Sequence, residues 1–264
     1  MSFHLSDKRY YLPWRNALKP LRPEKLWQRF AALDRLPTTT FSVEASAVYS
    51  SNIEGNTIDL DSFMNSKLGR LNNRFKIKER KEIEKLVEAY RFAQKHALHE
   101  KNFLKAHGIL SKTILPRSQQ GKYRDQAVFV YSQHGIEYAA IEPQFVSEKM
   151  LEMFDDIAAI KKTKPAVSEL FYHGALIHLV FVHIHPFQDG NGRAARLLEK
   201  WFLATQLGAK AWKIPSEQYY KENRPEYYKN IKVGENYYFL NYDLCVPFLT
   251  MLPRALTLFL NPKT

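Results

Sequence analysis

Residues 185–196 read HPFQDGNGRAAR, and no other stretch of the 264-residue chain packs so much polar chemistry into so few positions. His185 is a base that accepts a proton near neutral pH, and Pro186 fixes it at the start of a loop. Asp189-Gly190-Asn191-Gly192 supplies two glycines that tolerate unusual dihedrals, so backbone N–H groups can converge into an anion-binding nest. The helix expected from about residue 192 points its free N–H groups and the positive end of its dipole at the same spot. Arg193 and Arg196 are three residues apart and can share one side of the first turn, where two guanidinium forks beside a nest suit a polyphosphate. Asp189 offers one carboxylate next to the phosphates, which is the kind of ligand Mg²⁺ takes together with phosphate oxygens. Phe187 is expected to point inward and anchor the loop. A glycine-rich turn between two helices, stitched by arginine salt bridges, is the structural alternative.

The elements around this loop must hold it rigidly. The preceding segment, FYHGALIHLVFVHI, is apolar almost all round and reads as a central core helix over 167–182; the following ARLLEKWFLA is amphipathic, over 192–206. Helical spacing also marks 23–36 (Leu26, Phe30, Leu33), 42–54, 78–98 (Ile83, Leu86, Val87, Tyr90), 102–115, 143–160, 216–231 and 244–260. Gly55-Asn56 is a stop signal for the second of these, and Pro116 for the fourth. Residues 121–141 change character: VFVY and IEYAAI flank a polar, glycine-containing turn and read as a hairpin. The expected fold is all-α with one β-hairpin, divided into an N-terminal helical region (1–100), a core (101–231) and a closing helix (232–264).

Composition narrows the class. The chain is 45% hydrophobic and 25% charged, which is ordinary for a globular protein. No stretch is expected to approach the ~20 consecutive apolar residues of a membrane span. The N-terminus carries charges where a signal peptide is apolar, and a single cysteine, Cys245, excludes an internal disulfide framework, so a cytoplasmic location is expected. The net charge of +12 suits phosphate ligands; part of it clusters at Arg70, Arg74, Lys76, Lys78, Arg80 and Lys81, without a nucleic-acid motif. A P-loop is absent, an EF-hand beginning at Asp189 would meet Lys200 where it needs Glu, and a metal-hydrolase HxHxDH pattern would need Asp where Phe187 stands. His173, His178 and His183 read as core or boundary residues.

At residues 185–196 the sequence resembles the Fic (Fido) family, whose signature HxFx(D/E)GNGRxxR is matched at every specified position. The likeness extends over about 103–228 and includes Gly121-Lys122-Tyr123-Arg124 at the entry to the hairpin, which corresponds to the family's target-binding flap. Upstream, Ser50-Ser51-Asn52-Ile53-Glu54-Gly55-Asn56 resembles the family's inhibitory motif (S/T)xxxE(G/N). The resemblance implies transfer of AMP from ATP to a Ser, Thr or Tyr hydroxyl of a protein. It makes His185 the general base and Asp189 the Mg²⁺ ligand. Gly190, Asn191 and Gly192 hold the inner phosphates, and Arg193 and Arg196 bind the outer ones. Glu54 pairs with Arg196 and excludes the γ-phosphate, with Ser50 beside it. Tyr228, next to Tyr227, falls where relatives place an aromatic near the base. The implied partners are ATP and a protein segment laid along the 121–141 flap, with the first 40 residues available for a homodimer; neither DNA nor a membrane is implied. Two other activities remain open at this point: removal of AMP using Glu54 and a metal, and transfer of another phosphate-containing group. A C-terminal winged helix does not fit in the ~35 residues after Tyr228.

Overall fold

The computed structural model describes residues 4–71, 76–132 and 135–260. Arg74 of the basic cluster and the tip of the hairpin turn, Gln133-His134, lie outside them. Thirteen α-helices and one hairpin account for the described fold. In chain order they are α1 (Tyr11–Ala17), α2 (Pro23–Ala31), α3 (Thr39–Ile53), α4 (Leu60–Lys67), α5 (Ile77–Lys95), α6 (Glu100–Leu110), β1 (Phe129–Ser132), β2 (Gly135–Ala139), α7 (Pro143–Lys162), α8 (Val167–Ile184), α9 (Asn191–Leu207), α10 (Ser216–Glu222), α11 (Arg224–Ile231), α12 (Val246–Ala255) and α13 (Thr257–Leu260).

Helix α8 is the axis of the molecule. Fifteen of its eighteen residues are buried, and α9, α12, α2, α7 and α1 pack around it. Gly174 lets α9 and α12 come close: a β-carbon there would stand 3.2–3.3 Å from the methyl groups of Leu203 and Leu252. Two segments are long and apolar enough to cross a membrane by length and composition, Val167–Ile184, 83% buried, and Tyr242–Leu260, 50% buried. This corrects the expectation that no stretch approaches that length. The first is the core helix itself. The second is divided between a 3₁₀ turn at Tyr242–Leu244, α12 and α13.

Most expected helices are present with shifted ends. Helix α3 starts at Thr39 because the Thr38 hydroxyl caps it, accepting from the Phe41 N–H. Helix α6 ends at Leu110, short of the Pro116 stop. The expected helix over 216–231 is two helices broken at Asn223, where Pro225 enters the first turn of α11. Likewise 244–260 is broken after Ala255, with Pro253 inside α12. Helices α1 and α4 went unread, being only seven and eight residues long.

Helix α3 carries an unusual burial pattern. Ser42, Ser46, Ser50 and Ser51 are buried along it beside Val43, Ala47 and Val48. Small residues let it pack close to α10, α5 and α9. For Ser46 and Ser50 the cost of burying a hydroxyl is met by hydrogen bonds to charged groups of α9 and α10, whereas the buried Ser51 hydroxyl has no hydrogen-bond partner among the described residues. Ser46, Ser50 and Glu54 recur every four residues on α3 and face Lys200 and Arg196, likewise four apart, on α9.

Candidate active site

The loop between α8 and α9 is fixed from within and from both flanks. His185 terminates α8 in the left-handed region (φ 51°), with its N–H still bonded to the Phe181 carbonyl. Gly190 takes φ 83°, a conformation that favours glycine, and a β-carbon there would crowd Leu110, Ile114 and His107. The Asn191 side chain bonds the backbone of Phe187 twice, accepting from its N–H (2.9 Å) and donating to its carbonyl (2.7 Å). Asn191 therefore shapes the loop with its side chain and leaves only its backbone N–H for a ligand. Phe187 is fully buried, as expected, and lies flat on the His107 ring, centroids 3.5 Å apart.

His107 and Arg124 brace the loop from outside, and sequence reasoning passed over both roles. His107 donates from Nε2 to the Asp189 carbonyl (3.0 Å) and accepts at Nδ1 from the Gly121 N–H (3.2 Å). Burial lowers its pKa to about 4, so it is neutral, as that bonding requires. Arg124 donates from Nε to the His185 carbonyl (2.8 Å), and its own N–H donates to the Pro186 carbonyl (2.9 Å). Its remaining nitrogens reach the carbonyls of Gln126 and Ile141, tying the loop to both ends of the hairpin. A buried arginine satisfied only by carbonyls has no periodic signature in sequence.

His185 itself is set up as a base. Its Nδ1 faces the Val182 carbonyl at 3.1 Å; a carbonyl only accepts, so Nδ1 carries the proton and Nε2 is left bare. Desolvation by burial lowers its pKa below the usual imidazole range, against the raising effect of that hydrogen bond.

Facing it is a cavity of about 500 Å³ whose lining includes Glu54, Tyr138, His183, His185, Gly192, Arg196, Tyr227 and Tyr228. The fold thus brings together His185, Gly192, Arg196, Glu54 and Tyr228 from the expected set. Arg196 is fully buried. It donates from Nε to the Ser50 hydroxyl (2.8 Å), from Nη2 to the Ser50 carbonyl (3.0 Å) and Glu54 carboxylate (2.6 Å), and from Nη1 to the Tyr227 hydroxyl (3.1 Å). Desolvation pushes the Glu54 pKa up, but the charge and hydrogen bond of Arg196, with Arg193 and His185 nearby, outweigh it and hold the carboxyl below its ordinary value. The carboxylate lies against Gly192, in the space a β-carbon would take. Tyr228 donates to the Ile53 carbonyl (3.0 Å), and Arg224 lies over its ring.

The other expected residues flank this cavity without lining it. Arg193 turns to Glu82 on α5 (3.8 Å) and to Asp189 (3.5 Å). The Asp189 side chain is 54% exposed and accepts from the Gly190 N–H. Among the described residues no group of three His, Cys, Asp or Glu side chains is placed to hold a metal on its own. The hairpin stands beside the cavity. Strands β1 and β2 pair antiparallel with a bulge between Val130 and Tyr131, and Tyr138 pins β2 to α8 through the His183 carbonyl (2.6 Å). Phe129, Tyr131 and Ile136 are exposed on it.

A helical domain with a β-hairpin beside a glycine-rich loop at a helix N-terminus, a bare histidine nitrogen and a buried arginine define the class. Residues 97–203 match the model of the Fic/DOC family. It is 30% identical over 160 residues to the protein adenylyltransferase Fic of Nematostella vectensis, covering 57% of this chain and 35% of that protein. It is 28% identical over 116 residues to the protein adenylyltransferase fic-1 of Caenorhabditis briggsae, covering 44% and 20%. The chain thus spans about a third or less of these relatives. Among solved structures, a Fic family protein from Desulfovibrio desulfuricans superposes with a TM-score of 0.73 at 22% identity, over 92% of this chain and 72% of that one. A Fic-domain signalling protein from Bacteroides thetaiotaomicron gives 0.63 at 21% identity, over 95% of each.

Proposed function

We propose that this chain transfers AMP from ATP to a hydroxyl of a protein segment, and that Glu54 holds the site closed at rest. The observation that carries this reading is the cavity in which the bare Nε2 of His185 and the guanidinium of Arg196 face the same space. The target hydroxyl oxygen attacks the α-phosphorus while its proton passes to His185 Nε2. The bond from that phosphorus to the bridging oxygen breaks, and pyrophosphate leaves with the electron pair. The backbone N–H groups at the start of α9 and Arg196 balance the phosphate charge. A single carboxylate that is half exposed beside the loop fits Mg²⁺ only when phosphate oxygens complete the shell. Asp189 would hold the ion, which would neutralise charge on the leaving phosphates. The target segment pairs with the free edge of the 129–139 hairpin, as extended peptides do with exposed strands.

With Mg²⁺ and labelled ATP, the wild type is expected to label itself or a lysate weakly, Glu54→Gly strongly, and His185→Ala with Glu54→Gly about 10²–10⁴-fold less than Glu54→Gly alone. Equal labelling with and without Glu54 would remove the closure claim; undiminished labelling without His185 would remove the base. The ionised Glu54 carboxylate lines the same cavity as His185, and this favours one second reading, in which it activates water to release AMP from a modified protein. Release by wild type and not by Glu54→Gly is the result that reading requires.

A further inference from the structure

Behind Arg196 a file of buried polar side chains runs through the core, and the chemistry above uses none of it beyond Tyr227. The Tyr227 hydroxyl is 3.1 Å from Arg196 Nη1 and 2.9 Å from His178 Nε2. His178 Nδ1 is 2.8 Å from Glu199 Oε2, and the Tyr220 hydroxyl donates to that same oxygen at 2.8 Å. All five side chains are at most 1% exposed. Arginine only donates, so the Tyr227 oxygen accepts from Nη1 and gives its own proton to His178 Nε2. That ring nitrogen is therefore bare, and the proton sits on Nδ1, pointing at Glu199. Every bond in the file then has one direction, Tyr227 to His178 to Glu199, and the free lone pair of Tyr227 is aimed at Arg196. The members come from α8, α9, α10 and α11, so the file also fixes α10 and α11 against the loop helix.

We propose that His178 and Glu199 are positioning residues for Arg196. By fixing the Tyr227 hydroxyl as an acceptor for Nη1, they keep the Nη2 edge of the guanidinium turned to the cavity, ready for the outer phosphates of a nucleoside triphosphate once Glu54 withdraws. The proposal rests on the reading of the cavity as a triphosphate site. Of the partners Arg196 has now, Ser50 and Glu54 both belong to the end of α3, whereas Tyr227 does not. A guanidinium that lost the α3 contacts without the Tyr227 anchor would be free to rotate about its long side chain, and a rotated fork forfeits bidentate geometry.

The test measures ATP and AMP binding by calorimetry in the Glu54→Gly protein, with Tyr227→Phe, His178→Leu, Glu199→Leu or Glu199→Gln added. AMP lacks the outer phosphates and serves as the internal control. Tyr227→Phe, which deletes one oxygen, and the two leucine variants should weaken ATP about tenfold, the scale of one hydrogen bond to a charged group, with AMP affinity unchanged. Glu199→Gln keeps an oxygen that can accept from His178 and should retain the ATP preference. Equal loss for ATP and AMP, or no loss in Tyr227→Phe, overturns the proposal. If Glu54→Gly alone fails to prefer ATP over AMP, the fault lies with the triphosphate reading. Should a leucine variant not fold, Tyr227→Phe decides alone.

Discussion

Two cations stand one turn apart on α9, and each has a carboxylate partner and a serine of α3. Lys200 pairs with Glu217 of α10, both at most 1% exposed, while its Nζ also donates to the Ser46 hydroxyl at 2.6 Å and Tyr90 donates to the other Glu217 oxygen at 2.6 Å. Arg196 is equally buried, but Glu54 is 32% exposed, sits at the C-terminal cap of α3 and borders the cavity. The charges, the helix and the serine spacing match; access differs. A sealed pair has no competitor and serves only the fold. A pair at a cavity wall can exchange its carboxylate for another anion without leaving a bare charge in the core. What separates a strut from a switch here is access: a cavity of about 230 Å³ reaches Ser46 and Glu217 as well, yet the Glu217 side chain is 0% exposed, whereas Glu54 is 32% exposed to the 500 Å³ cavity that holds His185.

The largest expected effect follows from the sealed pair. Glu217→Ala leaves Lys200 buried without its counter-charge and should cost about 3–5 kcal/mol, read from the shift in urea midpoint at constant m-value. Glu54→Gly should cost about 1 kcal/mol, because the cavity admits water to the freed nitrogen. Similar costs for the two substitutions would dissolve the contrast.

The next effect belongs to the open pair and concerns activity. The 2.6 Å bond between Glu54 and Arg196 joins two charged groups, for which about 1.5–3 kcal/mol is typical. Removing that competition should raise labelling by about 10–100-fold in Glu54→Gly. Glu217 variants that remain folded should show no such rise. A rise with Glu217→Gln would mean that the whole of α3, and not the end of it, controls the site.

This contrast was half legible in the sequence. The loop was readable because its chemistry is contiguous: His185, Asp189, the two glycines and both arginines lie within twelve residues. Ser50 and Glu54 were legible only through the resemblance to the family's inhibitory motif; the residues by themselves gave the helix stop at Gly55, which does adopt φ 98°. Glu217, Lys200 and Ser46 were not, since a charge inside an amphipathic pattern looks like surface until its partner, here 171 residues from Ser46 in the chain, is known. The same reason hid His107, Arg124 and the Tyr227–His178–Glu199 file. Helix ends were misjudged where a capping side chain decided them, as at Thr38, and where a proline interrupts a continuous apolar pattern, as at Pro225.

Acid should act on the core before it acts on either carboxylate. Burial lowers the pKa values of His107, His173 and His183 to about 4, from an unfolded value near 6.5. Between those values the unfolded chain binds more protons, so stability is full above pH ~6.5 and falls as pH drops toward 4. The loss should be about 1 kcal/mol per histidine over the first pH unit below 6.5. Glu54 and Glu217 are also lowered, and their contribution fades only at lower pH, through and below the usual carboxylate range. The variants should therefore be compared above pH ~6.5. A urea midpoint that stays constant from pH 7.5 to 5 would show that these imidazoles are not held neutral by burial.

The smallest effect separates the two serines. Ser46 accepts from Lys200 and donates to Glu217 at 3.0 Å, so its hydroxyl completes a closed set of bonds among buried charges. Ser50 only receives the Nε–H of Arg196 by its hydroxyl, and its carbonyl holds Nη2 independently of the side chain. Ser50→Ala should thus cost about 1 kcal/mol and Ser46→Ala about twice that, one hydrogen bond against two. Ser50→Ala should also lift labelling a few-fold, because Arg196 is then held less firmly to α3, while Ser46→Ala should leave labelling unchanged at matched folded fraction. If Ser46→Ala lifts labelling as much as Ser50→Ala does, the two pairs act as one zipper and the distinction between strut and switch fails.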